Sequence, residues 1–221
     1  MANGGAPMAK YVNFTDPAAR KELVRYFQFV KRYDDVFRAN MPYGEALLVH
    51  PRSRNHQGEL VSAMTAFQKV GRRLLDEHVL FDVEPDEVVA RGEAQRSYNR
   101  TYTIESEAQI DNEDFSMFSR FEAPTTVRVS ASVPVKGREL TLHFVNYNRE
   151  EPPGGQRGAG IAEERPIPVK SIAADVIVPA GYRPTKVEAL SPENPEPQEL
   201  TFDAGDGRVR FVVPEFLVYG M

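Results

Sequence analysis

The chain has 221 residues, 41% of them hydrophobic and 27% charged, with 27 basic against 32 acidic side chains and a net charge of -5. That is enough chain for a sizeable core, as one large domain or two small ones, and too ordinary a hydrophobic fraction for wholesale disorder. A mildly acidic chain with no basic block speaks against nucleic acid as a partner, and the lack of cysteine excludes disulfides, thiolate catalysis and cysteine-bound metal. The opening MANGGAPMAK carries no apolar core of signal-peptide length, and no run approaches a membrane span. A cytoplasmic chain without membrane contact is the expectation.

Thr15-Asp16-Pro17 reads as a helix start, a polar cap followed by a proline whose missing N–H would go unused. Leu23, Phe27, Val30 and Phe37 then share a stripe. Val24, Tyr26, Phe29 and Tyr33 widen it, so this helix is expected to be covered on more than one side, and to stop near Asn40. Glu45 to His50 is a short unbroken apolar run, the mark of a strand buried on both faces. After the loop PRSRNHQG, a second helix from about Glu59 sets Leu60, Met64, Phe67, Leu74, Leu75 and His78 on one face. Val79 to Val83 is a second buried strand, closed by Glu84-Pro85-Asp86, which completes a βαβ unit. Two parallel strands do not stand alone in water, so either the next segment adds sheet or a partner covers this half. From Glu87 to Glu122 no period is sustained, although Tyr102, Ile104 and Ile110 suit a short strand.

Beyond Pro124 the grammar changes. Val127, Val129, Ala131 and Val133 alternate with polar residues, and Leu140, Leu142 and Phe144 repeat the pattern after Lys136-Gly137, which makes a hairpin. Arg149 to Pro166 is a Pro/Gly/Glu-rich loop. Val169 to Val178, Lys186 to Leu190, Glu199 to Asp203, Arg208 to Val213 and Phe216 to Tyr219 follow as short strands, with Ala204-Gly205-Asp206-Gly207 as a tight turn. The fold class expected is a two-part α+β chain: a truncated flavodoxin-like βαβ segment over residues 11–90, a connector over 91–123, and an antiparallel β-sandwich over 124–221.

Chemistry is sparse. Acidic pairs such as Asp34-Asp35, Asp86-Glu87, Glu113-Asp114 and Glu150-Glu151 sit in polar faces or loops, without the apolar setting that raises a carboxyl pKa. The four histidines have no metal-ligand spacing. His50, Arg52, Arg54 and His56 stand apart, because their loop leaves the C-terminal end of a buried strand and runs into a helix N-terminus. Ligands bind at that edge of open α/β sheets, and helix N-termini favour anions, so these four are the candidate ligand-binding residues. A solvated basic loop is the alternative. Ser53 has no nucleophile elbow around it, GGQRGAG at 154–160 precedes no helix, and Asp203 with Asp206 fits a plain hairpin better than a calcium loop. Tyr43, Tyr98, Tyr147 and Tyr182 are the rings available for sugar stacking in a chain without tryptophan. No catalytic residue, metal or cofactor is assigned.

The runs RYFQFVKRYDDVFRANMPYGEALLVHPRS and FQKVGRRLLDEHVLFDVEPDE resemble the amidotransferase-like, flavodoxin-like segment that follows the catalytic barrel in bacterial β-galactosidase-like glycoside hydrolases. FEAPTTVRVSASVPVKGRELTLHFVNYNREEP and GRVRFVVPEFLVYG look like the β-sandwich that ends such chains. In that family the α/β segment serves trimerisation or packing, and the catalytic acids lie in a barrel that this chain cannot supply. The resemblance therefore implies a non-catalytic accessory or oligomerisation region with modest carbohydrate contact. Its expected partners are a second copy or a glycoside hydrolase catalytic chain. Two alternatives stand: a small carbohydrate-active hydrolase with acids around Asp111 to Asp114 and Glu150-Glu151, and an anion-binding module built on His50, Arg52, Arg54 and His56.

Overall fold

The computed structural model describes residues 17–38, 40–150, 165–194 and 196–221. The expected cap at Thr15-Asp16, the GGQRGAG stretch and Glu151 lie outside them. Helix α1 (Pro17–Arg32) begins at the expected proline and, after a break at Tyr33, continues as α2 (Asp34–Phe37). Its covered face takes in part of the expected one. Phe29 is the buried residue, with Tyr26, Val30, Tyr33, Val36 and Phe37 beside it against Tyr219 and Met221. Val24 and Phe27 are 44% and 39% exposed, so cover on a second side is not observed among the described residues. The helix carries apolar groups on two sides, and the edge-to-face stack of Phe29 on Tyr219, 5.9 Å between centroids, selects one of them.

Strands β1 (Asn40–Pro42) and β2 (Ala46–His50), helices α3 (Arg52–His56) and α4 (Leu60–Asp76), strand β3 (Phe81–Pro85), helix α5 (Asp86–Ala90) and strand β4 (Arg100–Tyr102) follow. β2 lies at the centre of a parallel sheet, Ala46 standing opposite Phe81 of β3 on one side and Arg100 of β4 on the other. The sheet that β2 and β3 lacked thus comes from the following segment. Ile104 and Ile110, expected in a strand, instead fall in two 3₁₀ turns, Ile104–Ala108 and Ile110–Asn112.

The face of α4 meets expectation in part, with Leu74 buried and Phe67 packed against the same core. Ala63, Ala66, Val70, Gly71 and Leu74 are buried, whereas Leu60 is 53% exposed. Small side chains let this helix lie close on β2: a Cβ added at Gly71 would sit 3.2 Å from Leu48 Cδ2. His78 is not on the helix face at all. It adopts a left-handed φ of 56°, the Val79 amide reaches back to the Leu74 carbonyl (2.9 Å), and the His78 amide reaches the Leu75 carbonyl (3.2 Å). This is the bonding pattern of a helix-terminating Schellman turn, with histidine where glycine is usual.

Just before β2, Gly44 lies close against β3. Its amide donates to Asp82 Oδ2 (3.1 Å), and a Cβ there would lie 2.5 Å from the Asp82 backbone nitrogen. Gly44→Ala must push the strands apart. We expect a loss of about 2 kcal/mol, read as a fall in Tm of about 5 °C; an unchanged Tm would mean the approach is relaxed in solution.

The second half comprises β5 (Arg120–Phe121), β6 (Val127–Pro134), β7 (Thr141–Asn146), β8 (Ile172–Ile177), β9 (Glu188–Ala189), β10 (Gln198–Glu199), β11 (Phe202–Gly205), β12 (Arg208–Val213) and β13 (Tyr219–Gly220). They form antiparallel sheets in the orders β1-β6-β7-β13 and β11-β12-β8-β5, with β9 and β10 as a separate ribbon. Val127, Val129, Ala131 and Phe144 from one sheet share a core with Phe121, Ile172, Ala174, Val176 and Val209 from the other. Two antiparallel sheets facing across one core is the arrangement of a β-sandwich. Residues 91–123 supply a strand to each half, β4 to the parallel sheet and β5 to the sandwich. Among the described residues no helix is long and apolar enough to cross a membrane.

Candidate functional site

The four candidate residues lie at and just after the C-terminal end of β2. His50 ends β2 with its ring edge-on to Phe67, 5.2 Å between centroids. Arg52, Arg54 and His56 occupy α3, a single short turn. The arginines there face carboxylates: Arg54 contacts Glu59 (3.2 Å) and Glu105 (3.0 Å), and Arg52 approaches Glu87 (4.0 Å). The Ser53 amide donates to Asp86 at the start of α5 (3.2 Å), and its hydroxyl donates to the same carboxylate. An incoming anion would therefore compete with carboxylates already in place.

A larger concavity lies elsewhere. A groove of about 1120 Å³ runs between the C-terminal turn of α4 with the Glu113–Ser116 segment on one side and the outer face of the β11-β12-β8-β5 sheet on the other. On these strands Phe121, Ala174, Val209 and Phe202 turn towards the sandwich core. A period of two then turns the intervening residues outward. The ladder sets Arg120 opposite Asp175, Asp175 opposite Arg210 and Arg210 opposite Asp203. The floor is thus a row of alternating charge across four strands, with Ala173 and half-exposed Val212 paired in a neighbouring row. On the wall, the Arg73 guanidinium lies over the Phe115 ring (5.7 Å to its centroid) and pairs with Glu77 (2.8 Å).

Buried polar bonds hold floor and wall together. Glu45, just before β2 and 4% exposed, accepts from the Ser119 amide (2.7 Å) and hydroxyl, while Ser119 Oγ accepts from the Ile177 amide of β8 (2.8 Å). Burial pushes the Glu45 carboxyl above its usual range, against the pull of the Ser119 bonds and of Arg208. Arg208 donates to Asp175 Oδ1 (2.7 Å) and to the Phe118 carbonyl (2.9 Å). The buried ring of His78 lies 3.2 Å from the Pro124 carbonyl, and burial lowers its pKa. On the far face of the parallel sheet Tyr98 Oη lies 3.1 Å from both Asp82 Oδ2 and Glu84 Oε1, and burial raises the Asp82 pKa.

Of the acids weighed as hydrolytic, Glu113 and Asp114 line the groove and Asp111 pairs with Lys69 (3.4 Å). Glu150 is not among the lining residues; its amide donates to the Arg165 carbonyl. The row formed by Arg120, Asp175, Arg210 and Asp203 went unrecognised in the sequence. The available signal was the charged, outward parity of Asp175 and Arg210 within strands read for their apolar face.

No family model matches this chain, and no curated protein matches it. Among solved structures it is similar to α-L-fucosidase isoenzyme 2 from Paenibacillus thiaminolyticus, with a TM-score of 0.58 and 10% identity over 93% of this chain and 52% of the fucosidase. A cycloisomaltooligosaccharide glucanotransferase from Paenibacillus sp. matches over 69% of this chain and 26% of its own, with a TM-score of 0.36 and 14% identity. Both neighbours are related to glycoside hydrolases. This chain spans about half the length of the fucosidase, and what the two share at that identity is the fold.

Proposed function

We propose that this chain is a non-catalytic accessory region of a glycoside-hydrolase-like protein, a truncated flavodoxin-like layer clasped to a β-sandwich, whose work is packing and self-association. The observation that carries the reading is the fold likeness to the fucosidase, which takes in nearly all of this chain and half of that one. The strand order β3-β2-β4 supports it, since a doubly wound flavodoxin-like sheet starts in that order before adding further strands. Here β3 stays at an edge with Val83 50% exposed, and Leu60 and Val61 at the start of α4 are 53% and 80% exposed. A parallel edge strand and exposed apolar side chains favour association with a second copy or with a catalytic chain.

The test is light scattering on the purified chain together with assays on nitrophenyl glycosides, α-L-fucoside included. A dimer or larger species without turnover is the expected result. A monodisperse monomer would overturn the self-association, and turnover abolished by Asp111→Asn with Asp114→Asn would overturn the non-catalytic assignment.

A further inference from the structure

From the groove between α4 and the outer sandwich sheet we infer a binding cleft for a neutral saccharide. Its volume, about 1120 Å³, lies just above the usual range of ligand pockets, about 300–1,000 Å³. The inference leans on the accessory reading only for its biological sense; the cleft itself is argued from its lining.

Charge selects the ligand class. Most lining carboxylates are already matched: Glu77 by Arg73 (2.8 Å), Asp76 by Arg128 (2.9 Å), Glu113 by Arg100 (3.3 Å) and Asp175 by Arg208 (2.7 Å). The floor itself alternates in sign from Arg120 through Asp175 and Arg210 to Asp203. A phosphate or uronate meets acid beside every base there, and a polycation meets the reverse. A neutral polyhydroxyl ligand has no such conflict, because each hydroxyl both donates and accepts.

The row also offers free bonding capacity. Arg210 is shared loosely between Asp175 (3.5 Å) and Asp203 (3.7 Å), so its guanidinium retains donors for a ligand. Arg120 has no carboxylate in contact among the described residues. It acts from a distance on Asp114, whose carboxyl is held below its usual range first by the Ser116 amide and hydroxyl and then by Arg120. Guanidinium and carboxylate groups are planar and bind pairwise, which suits vicinal hydroxyls. Neighbouring strands lie about 4.8 Å apart, so successive charged groups along the row can serve successive hydroxyl pairs of one ligand. Ala173, Val212 and the Phe115 ring supply the apolar surface against which the C–H face of a sugar packs.

The experiment is calorimetric titration of the purified chain with maltotriose, isomaltotriose, cellotriose and a fucosylated lactose, with trigalacturonate and tetralysine as charged controls. At least one neutral sugar should bind with a Kd of about 1 mM or tighter, and Arg120→Ala and Arg210→Ala should each weaken it about tenfold. Both side chains are on the surface, so the ligand-free Tm should not move. Silence from all neutral sugars at about 10 mM, binding of a charged control alone, or affinity unchanged in both variants would overturn the inference. Light-scattering mass and glycoside turnover are indifferent to those outcomes, so a failed cleft and a failed accessory role remain separable.

Discussion

Glu45→Ala is expected to destabilise the protein by about 3 kcal/mol, which lowers Tm by about 10 °C in a chain of this size. Glu45 is 4% exposed, and its carboxylate takes both the amide and the hydroxyl of Ser119. Ser119 in turn receives the Ile177 amide at the end of β8. One side chain at the start of the parallel sheet thus fixes the chain that leads into the sandwich. Alanine strands a buried amide and hydroxyl and removes the volume between the layers. Each orphaned group costs about 1–3 kcal/mol. Glu45→Gln should be milder, because an amide oxygen still accepts from the Ser119 N–H and the side chain still fills the site. Urea unfolding of both variants checks this. A loss below about 0.5 kcal/mol for alanine, within the usual range of surface substitutions, would mean the two layers are held mainly by apolar contacts.

Much of the fold could be read from one-sided burial. β8 alternates buried and less buried residues throughout and β6 does so from Val127 to Ala131, as their sequences do, whereas in β7 Leu142, His143 and Phe144 are buried in a row. The hairpin between β11 and β12 closes on Asp206 and Gly207, at φ of 53° and 72°, as a two-residue turn requires. β4 was legible only at Tyr102: Arg100 and Thr101 are exposed, so the strand's extent rests on ladder bonds to β2 and not on pattern. α1 and α4 were assigned as helices with faces that were right only in part: Phe29, Val30, Phe67 and Leu74 do pack inward, whereas Phe27 and Leu60 do not. In α1 apolar residues lie on two sides, and in α4 the sheet selects Ala63, Ala66 and Gly71, which a count of large hydrophobics passes over. The groove was illegible for a related reason. Arg120, Asp175, Arg210 and Asp203 are distant in sequence, and only strand register makes them neighbours.

Acid should weaken the protein through His143. The ring is 2% exposed, lying on the sandwich side of the Phe37 and Tyr219 rings, with Nε2 3.0 Å from Ser132 Oγ and Nδ1 2.6 Å from Tyr219 Oη. Burial drives its pKa from 6.5 down to about 4. Burial also pushes the Tyr219 hydroxyl well above its ordinary value, so Tyr219 keeps its proton and can donate it to Nδ1 while Nε2–H donates to Ser132. A proton added at Nδ1 would face that hydroxyl and leave a charge among aromatic rings. The unfolded chain takes up this proton near pH 6.5 and the folded chain only near 4, so stability present above 6.5 is lost as pH falls between the two. The full loss is about 3 kcal/mol. Glu45 and Asp82 have raised pKa values and act oppositely, each favouring the folded state more as the medium becomes more acid, while His78, Asp86, Glu105 and Asp114 have lowered ones and add to the loss in acid, so the total slope is not the histidine's alone. The difference between the parent chain and His143→Asn isolates it. Unfolding free energies at pH 7 and pH 4 should differ by about 3 kcal/mol less in the variant, whatever its absolute stability. Equal slopes would mean that the imidazole finds water or a counter-charge on protonation, and that the contact of α1 and α2 with the sandwich is insensitive to acid.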